Sequence, residues 1–119
     1  MGEDIIKVKS FSFAIRIVNL YKILVSRNEY VMSKQILRSG TSIGANIREA
    51  KNAESKADFI HKMGISQKET DETLYWLELL QATNYLSNEE FLSLNSDGVE
   101  VLKLIKSIII TSKNNQKKT

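Results

Sequence analysis

Apolar residues recur at helical spacing along almost the whole chain. Between Ser10 and Val25, Phe13, Ile17, Leu20 and Leu24 interleave with Ala14, Val18, Tyr21 and Val25 in two adjacent rows. This predicts a helix over about 10–26 with a wide buried face, followed by a polar turn at Ser26 to Glu29. A second stripe, Ile36, Gly40, Ile43, Ile47 and Ala50, predicts a helix over about 30–53. Opposite that stripe, Lys34, Arg38 and Arg48 form a basic ridge with only Thr41 and Ala45 between them. Gly40 and Gly44 make a small-xxx-small pair, which in a soluble helix signals close packing.

Ser55 followed by Asp58 has the spacing of an N-cap and first-turn acid, so a third helix is expected over about 56–85. Its stripe is Phe59, Met63, Ser66, Thr70, Thr73, Leu77 and Leu80, hydroxyl-bearing in the middle where Leu or Ile is usual. Those hydroxyls are expected to lie against Gly40 and Gly44, each bonding a carbonyl one turn back in its own helix. A second row, Ile65, Glu69, Glu72, Trp76 and Leu79, runs beside the first, rotated by roughly 100°. An extra apolar row with an indole at one end and two carboxylates inside it suits an oligomer interface. The bland reading is a tryptophan packed along the edge of its own subunit.

Ser87 and Glu90 form a capping box ahead of a stripe at Phe91, Leu94, Gly98, Val101, Ile105 and Ile108. This predicts a fourth helix over about 88–112, taken as one element although Asn95 to Gly98 offers a place to kink. Residues 113–119 hold three lysines and no apolar residue, and are expected to be a disordered basic tail. Four amphipathic helices joined by short polar turns imply an all-α, antiparallel up-down-up-down four-helix bundle, with residues 1–119 forming a single domain.

Composition narrows the chemistry. Proline and cysteine are absent, which excludes disulfides, a thiol nucleophile and a Cys-based zinc site. No apolar run spans a bilayer, and residues 1–10 lack a signal-peptide core, so a cytoplasmic protein is expected. The net charge of +3 conceals a segregation. Residues 1–68 hold 12 Lys/Arg against 6 Asp/Glu, residues 69–100 hold none against 8, and residues 101–119 hold 5 against none. Complementary surfaces meeting within the molecule or between copies would account for this, as would ordinary solvated helix faces.

A di-iron bundle site needs two Glu-x-x-His pairs, and His61 is the only histidine, placed far from the core stripe. Serine-type catalysis would depend on the same outward histidine, and no nucleophile elbow or phosphate loop occurs. No catalytic residue, metal ligand or cofactor site is predicted, and the protein is expected not to be an enzyme. Lys34, Arg38, Arg48, Lys103, Lys106, Lys113, Lys117 and Lys118 are the candidates for nucleic-acid contact. Without a base-reading motif, such contact would be backbone-directed and salt-sensitive.

The segments Lys34-Gln35-Ile36-Leu37-Arg38-Ser39-Gly40-Thr41-Ser42-Ile43-Gly44-Ala45-Asn46-Ile47-Arg48-Glu49-Ala50, Glu54 to Phe59, and Lys68-Glu69-Thr70-Asp71-Glu72-Thr73-Leu74-Tyr75-Trp76-Leu77 carry a family resemblance. They resemble the bacterial four-helix-bundle proteins named after open reading frames in intervening sequences of 23S ribosomal RNA genes. The resemblance runs from Phe11 to Lys113, and Asn46, Glu49, Glu69, Glu72 and Trp76 match signature positions. It implies an antiparallel bundle and a homopentameric ring, as in the related accessory protein of diversity-generating retroelements, a basic protein that works with a reverse transcriptase and its RNA. The acidic segment 69–100 departs from that relative's character. The expected partners are therefore copies of the chain itself and RNA or a nucleic-acid-processing protein, with no membrane and no metal. The alternative is a protein-interaction scaffold in which the basic ridge of one copy meets the Glu69 and Glu72 row of the next, so that charge serves assembly alone.

Overall fold

The computed structural model describes residues 2–117, which form four helices: α1 (Gly2–Ser26), α2 (Met32–Lys51), α3 (Lys56–Ala82) and α4 (Asn88–Lys117). No strand occurs among the described residues. Helix α1 packs closely on α2 and α4, and α3 on the same two, while the backbones of the diagonal pairs stay farther apart. The short connections make the topology up-down-up-down, in a rod with extents of 52 × 22 × 20 Å.

The expected stripes build the core. Phe13, Ile17, Leu20 and Leu24 of α1 meet Ile36, Ile43 and Ile47 of α2, Met63, Leu77 and Leu80 of α3, and Val101 and Ile105 of α4, all buried. Helix α1 starts earlier than the apolar pattern suggested, and its added turns bury Ile6. In α4 the stripe ends on Ile109, with Ile108 only partly buried, because a 3.6-residue period drifts against a strict 3/4 alternation.

Residues 113–117 are not a disordered tail: α4 continues through them to Lys117, while Lys118 and Thr119 lie outside the described residues. Nothing between Val99 and Lys117 breaks a helix, and lysines near a C-terminus interact favourably with its partial negative charge. The helix also runs unbroken through Gly98. A Cβ there would lie 2.7 Å from Leu74 Cδ2 and 3.1 Å from Phe13 Cζ, so this glycine admits side chains from α1 and α3 rather than bending α4.

The glycines of α2 face a different neighbour from the one expected. A Cβ on Gly40 would meet Ile17 of α1 at 2.7–3.1 Å, and one on Gly44 would meet Ser10 of α1 at 3.4 Å. They bring α1 close to α2, because the hydroxyl row of α3 approaches α2 along its other flank, near Ser39 and Ile43. There Ser66 Oγ donates across the interface to the Ile43 carbonyl at 2.9 Å rather than to its own helix. Thr73 Oγ1 is 2.8 Å from both Ser39 Oγ and the Glu69 carbonyl, and Thr70 donates one turn back to Ser66 as expected. With their hydroxyls paired, small side chains can be buried between two closely spaced helices.

The helix ends obey local rules. Ser55 Oγ accepts from the Asp58 N–H at 3.0 Å, and Ser87 and Glu90 cap each other reciprocally at 2.9 and 3.1 Å. Asn28 (φ 65°) and Asn84 (φ 68°) take the left-handed conformation that terminates α1 and α3. The N–H groups of Glu29 and Tyr85 then reach back to the carbonyls of Leu24 and Leu80, both at 2.9 Å. Glu29, itself buried, turns its carboxylate onto the start of α2, accepting from the Ser33 N–H at 2.6 Å.

Candidate interaction surfaces

The second row of α3 is half-buried beside α2, and its charges are matched within the chain. Arg38 places one guanidinium nitrogen 3.2 Å from Glu69 Oε2 and pairs the other with Glu72. The Trp76 indole N–H donates to Glu72 Oε2 at 3.1 Å. Trp76 packs against its own core, with Tyr75 edge-on to it at a centroid distance of 5.2 Å. Ile65 and Leu79 are also only partly exposed. The ion pair that the scaffold alternative assigned to neighbouring copies is thus made by Arg38 inside one chain, since α2 and α3 are adjacent and a long Arg side chain spans them.

The basic ridge of α2 accordingly does not stand free. Arg38 is drawn toward α3, and the Arg48 guanidinium carbon lies 5.3 Å from the centre of the Phe11 ring of α1, a cation–π contact. Lys34 remains exposed near the start of α2.

The sequence-level charge segregation resolves in the same way. Three bridges clamp α1 and the residue after it to α4: Lys9 to Glu100 (3.2 Å), Arg16 to Asp97 (2.6 Å) and Arg27 to Glu90 (2.8 Å). With the Arg38 pairs, Glu69, Glu72, Glu90, Asp97 and Glu100 are neutralised internally, five of the eight acids in residues 69–100. Asp71, Glu78 and Glu89 are exposed and form no ion pair among the described residues. The Arg27 hydrogen bonds, aided by the Ser87 N–H, pull the Glu90 carboxyl down to about 2 from the usual carboxylate range.

Up-down topology gathers many of the cations at one end of the rod, formed by the start of α1 and α3 and the finish of α2 and α4. Lys7, Arg48, Lys51, Lys56, Lys62, Lys106, Lys113 and Lys117 lie there with Glu3, Asp4, Glu49, Glu54 and Asp58, Lys62 pairing with Glu49 at 3.2 Å, so cations are in excess at this end. Because α4 stays helical, Lys103, Lys106, Lys113 and Lys117 fall within about 80° of arc and span about 21 Å of axis. All four are exposed, with exposed Ile110 among them. At the same end, on the other side of α4, an open depression of about 490 Å³ is lined by Lys51, Glu54, Ser55, Lys56, Phe59 and Asn115. The sequence reading named all four lysines as candidates, but not their alignment, which depends on the last turns being ordered.

His61 is exposed, and among the described residues no group of three His, Asp or Glu side chains could hold a metal ion. No helix among them is long and apolar enough to cross a membrane.

Comparison with known proteins matches residues 3–107 to a family model described as 23S rRNA-intervening sequence protein. The 1.70 Å crystal structure of a protein with unknown function from the S23 ribosomal protein family, from Bacteroides thetaiotaomicron VPI-5482, has 60% sequence identity and a TM-score of 0.91. That alignment covers 92% of this chain and 98% of the Bacteroides chain. No curated protein matches.

Proposed function

This chain belongs to the 23S rRNA-intervening sequence protein family, and from that membership we propose that it is a non-enzymatic, self-assembling bundle of the cytoplasm that associates with RNA through the cations at one end of the rod. The observation that carries this reading is the lysine face of α4. Four aligned ammonium groups over about 21 Å match a run of phosphates better than any base-reading element would. The family's name and the ribosomal family of the Bacteroides protein support RNA as the ligand class. Self-assembly into a ring, five-fold as the resemblance implies, would repeat the lysine face around an axis and multiply its affinity for one RNA.

The acids of residues 69–100 are compatible with this role because α1 and α2 neutralise most of them before a ligand arrives. Arg38 is engaged with Glu69 and Glu72 and Arg48 with the Phe11 ring, so the RNA-facing set is Lys103, Lys106, Lys113 and Lys117 rather than the whole basic complement.

Fluorescence anisotropy with a structured RNA hairpin tests the reading. Binding should be measurable at ~50 mM salt and weaken by at least ten-fold at ~200 mM, as several phosphate contacts are lost to counterions. No binding at the lower salt, or an affinity indifferent to salt, contradicts it and leaves the pure scaffold standing.

A further inference from the structure

Helix α1 is apolar on two opposite sides. Ile6, Phe13, Ile17, Leu20 and Leu24 face the core. On the far side, Ile5, Val8, Phe11 and Ile15 are 49%, 63%, 53% and 48% exposed. These four follow one another at three- and four-residue steps, with only Ser12 and Asn19 as polar residues on the same face before Lys22. A bundle helix facing water carries charge there; a helix apolar all round is covered on both sides.

A second anomaly lies on α3. Gly64 is in mid-helix and exposed, and a Cβ placed on it would meet nothing within 4 Å. It costs about 1 kcal/mol relative to alanine and admits no group from its own chain. Ala57, Gly64, Asp71 and Glu78 recur at seven-residue intervals on this outer face, with exposed Tyr75 among them and Lys68 at its edge. The face is small-residued toward the start of α3 and acidic further along.

We infer that the outer face of α1 docks onto the outer face of α3 of a second copy, with Val8, Phe11 and Ile15 packed over Gly64 and Lys22 set against Asp71 and Glu78. The two faces complement each other at both levels. Bulky apolar groups on the first half of α1 stand at the same end of the rod as the Gly64 notch. Farther along, Lys22 and the two acids, all exposed and without ion pairs among the described residues, carry opposite charge. Since α1 and α3 are diagonal in the bundle, the two faces lie on different sides of the chain, so the contact is head-to-tail, the kind from which rings are built when its rotation closes. The placement rests on the self-assembly proposed above and moves the contact away from the Trp76 row, whose charges are satisfied internally.

Light scattering on the full chain tests it with two variants, Val8→Glu/Ile15→Glu and Gly64→Gln, each first shown to be helical by circular dichroism. The unmodified protein should have a mass several times 13.5 kDa, and both variants should fall to the single-chain mass. Gly64→Gln should do so despite better helix propensity, which separates lost docking from lost folding. A multimer whose mass is unchanged in either variant overturns the placement while leaving self-assembly intact. A single-chain mass for the unmodified protein at every concentration overturns both.

Discussion

Gly40 and Asn84 are fixed by geometry that a single methyl group tests. At Gly40 an added Cβ would press on the buried, branched Ile17 side chain at 2.7 Å, with no flexible end to yield. Gly40→Ala should therefore cost about 1–2 kcal/mol net, overpacking exceeding the gain in helix propensity, as read by urea denaturation. Asn84 holds a positive φ at the end of α3, so Asn84→Ala should lower stability by about 1 kcal/mol and Asn84→Gly should not. Glu90 links the α4 capping box to Arg27, and the Arg27 hydrogen bonds together with the Ser87 N–H hold its carboxyl down at about 2, below the ordinary carboxylate value of 4.5. The unfolded chain therefore binds the proton first as acid is added. The stabilisation is complete above about pH 4.5 and is lost as pH falls toward 2. With the pair partly exposed, Glu90→Gln should remove no more than about 1 kcal/mol at neutral pH. It should also flatten the stability profile across that acid window.

Among the elements, the α2–α3 seam depends most on polar contacts. Glu69 has 14% of its side chain exposed and relies on Arg38. Arg38→Met should destabilise the bundle by about 1 kcal/mol and shift the emission of Trp76, the only tryptophan, because Glu72 loses its cation while still accepting the indole N–H. Helix stripes, both serine-based caps and the order of the bundle were legible in the sequence, since each is set by residues three or four apart. Which flank of α2 meets which neighbour was not. Gly40 facing Ile17 and Arg38 bridging to Glu69 depend on how the helices are rotated against one another, and no local spacing encodes that. The last turns of α4 misled for a related reason. Lys113 to Lys117 lack an apolar stripe, yet a helix already nucleated by Val101, Ile105 and Ile109 continues at little cost, since propagation adds a hydrogen bond per residue and no glycine or proline intervenes.

At the level of the whole molecule, charge separates along the rod. Cations from all four helices gather at one end, while most acids of residues 69–100 are spent on clamping α1 to α4 and α2 to α3. Net charge alone would make every lysine equivalent toward RNA; the arrangement makes them unequal. Lys106 belongs to the aligned face of α4, whereas Lys34 is exposed near the opposite end, close to the buried Glu29. Lys106→Glu and Lys34→Glu change the charge equally, so comparing their affinities for one RNA hairpin at ~50 mM salt isolates position from charge. Lys106→Glu should weaken binding several-fold more than Lys34→Glu; equal losses, or a greater loss at Lys34, would contradict an RNA surface at the basic end.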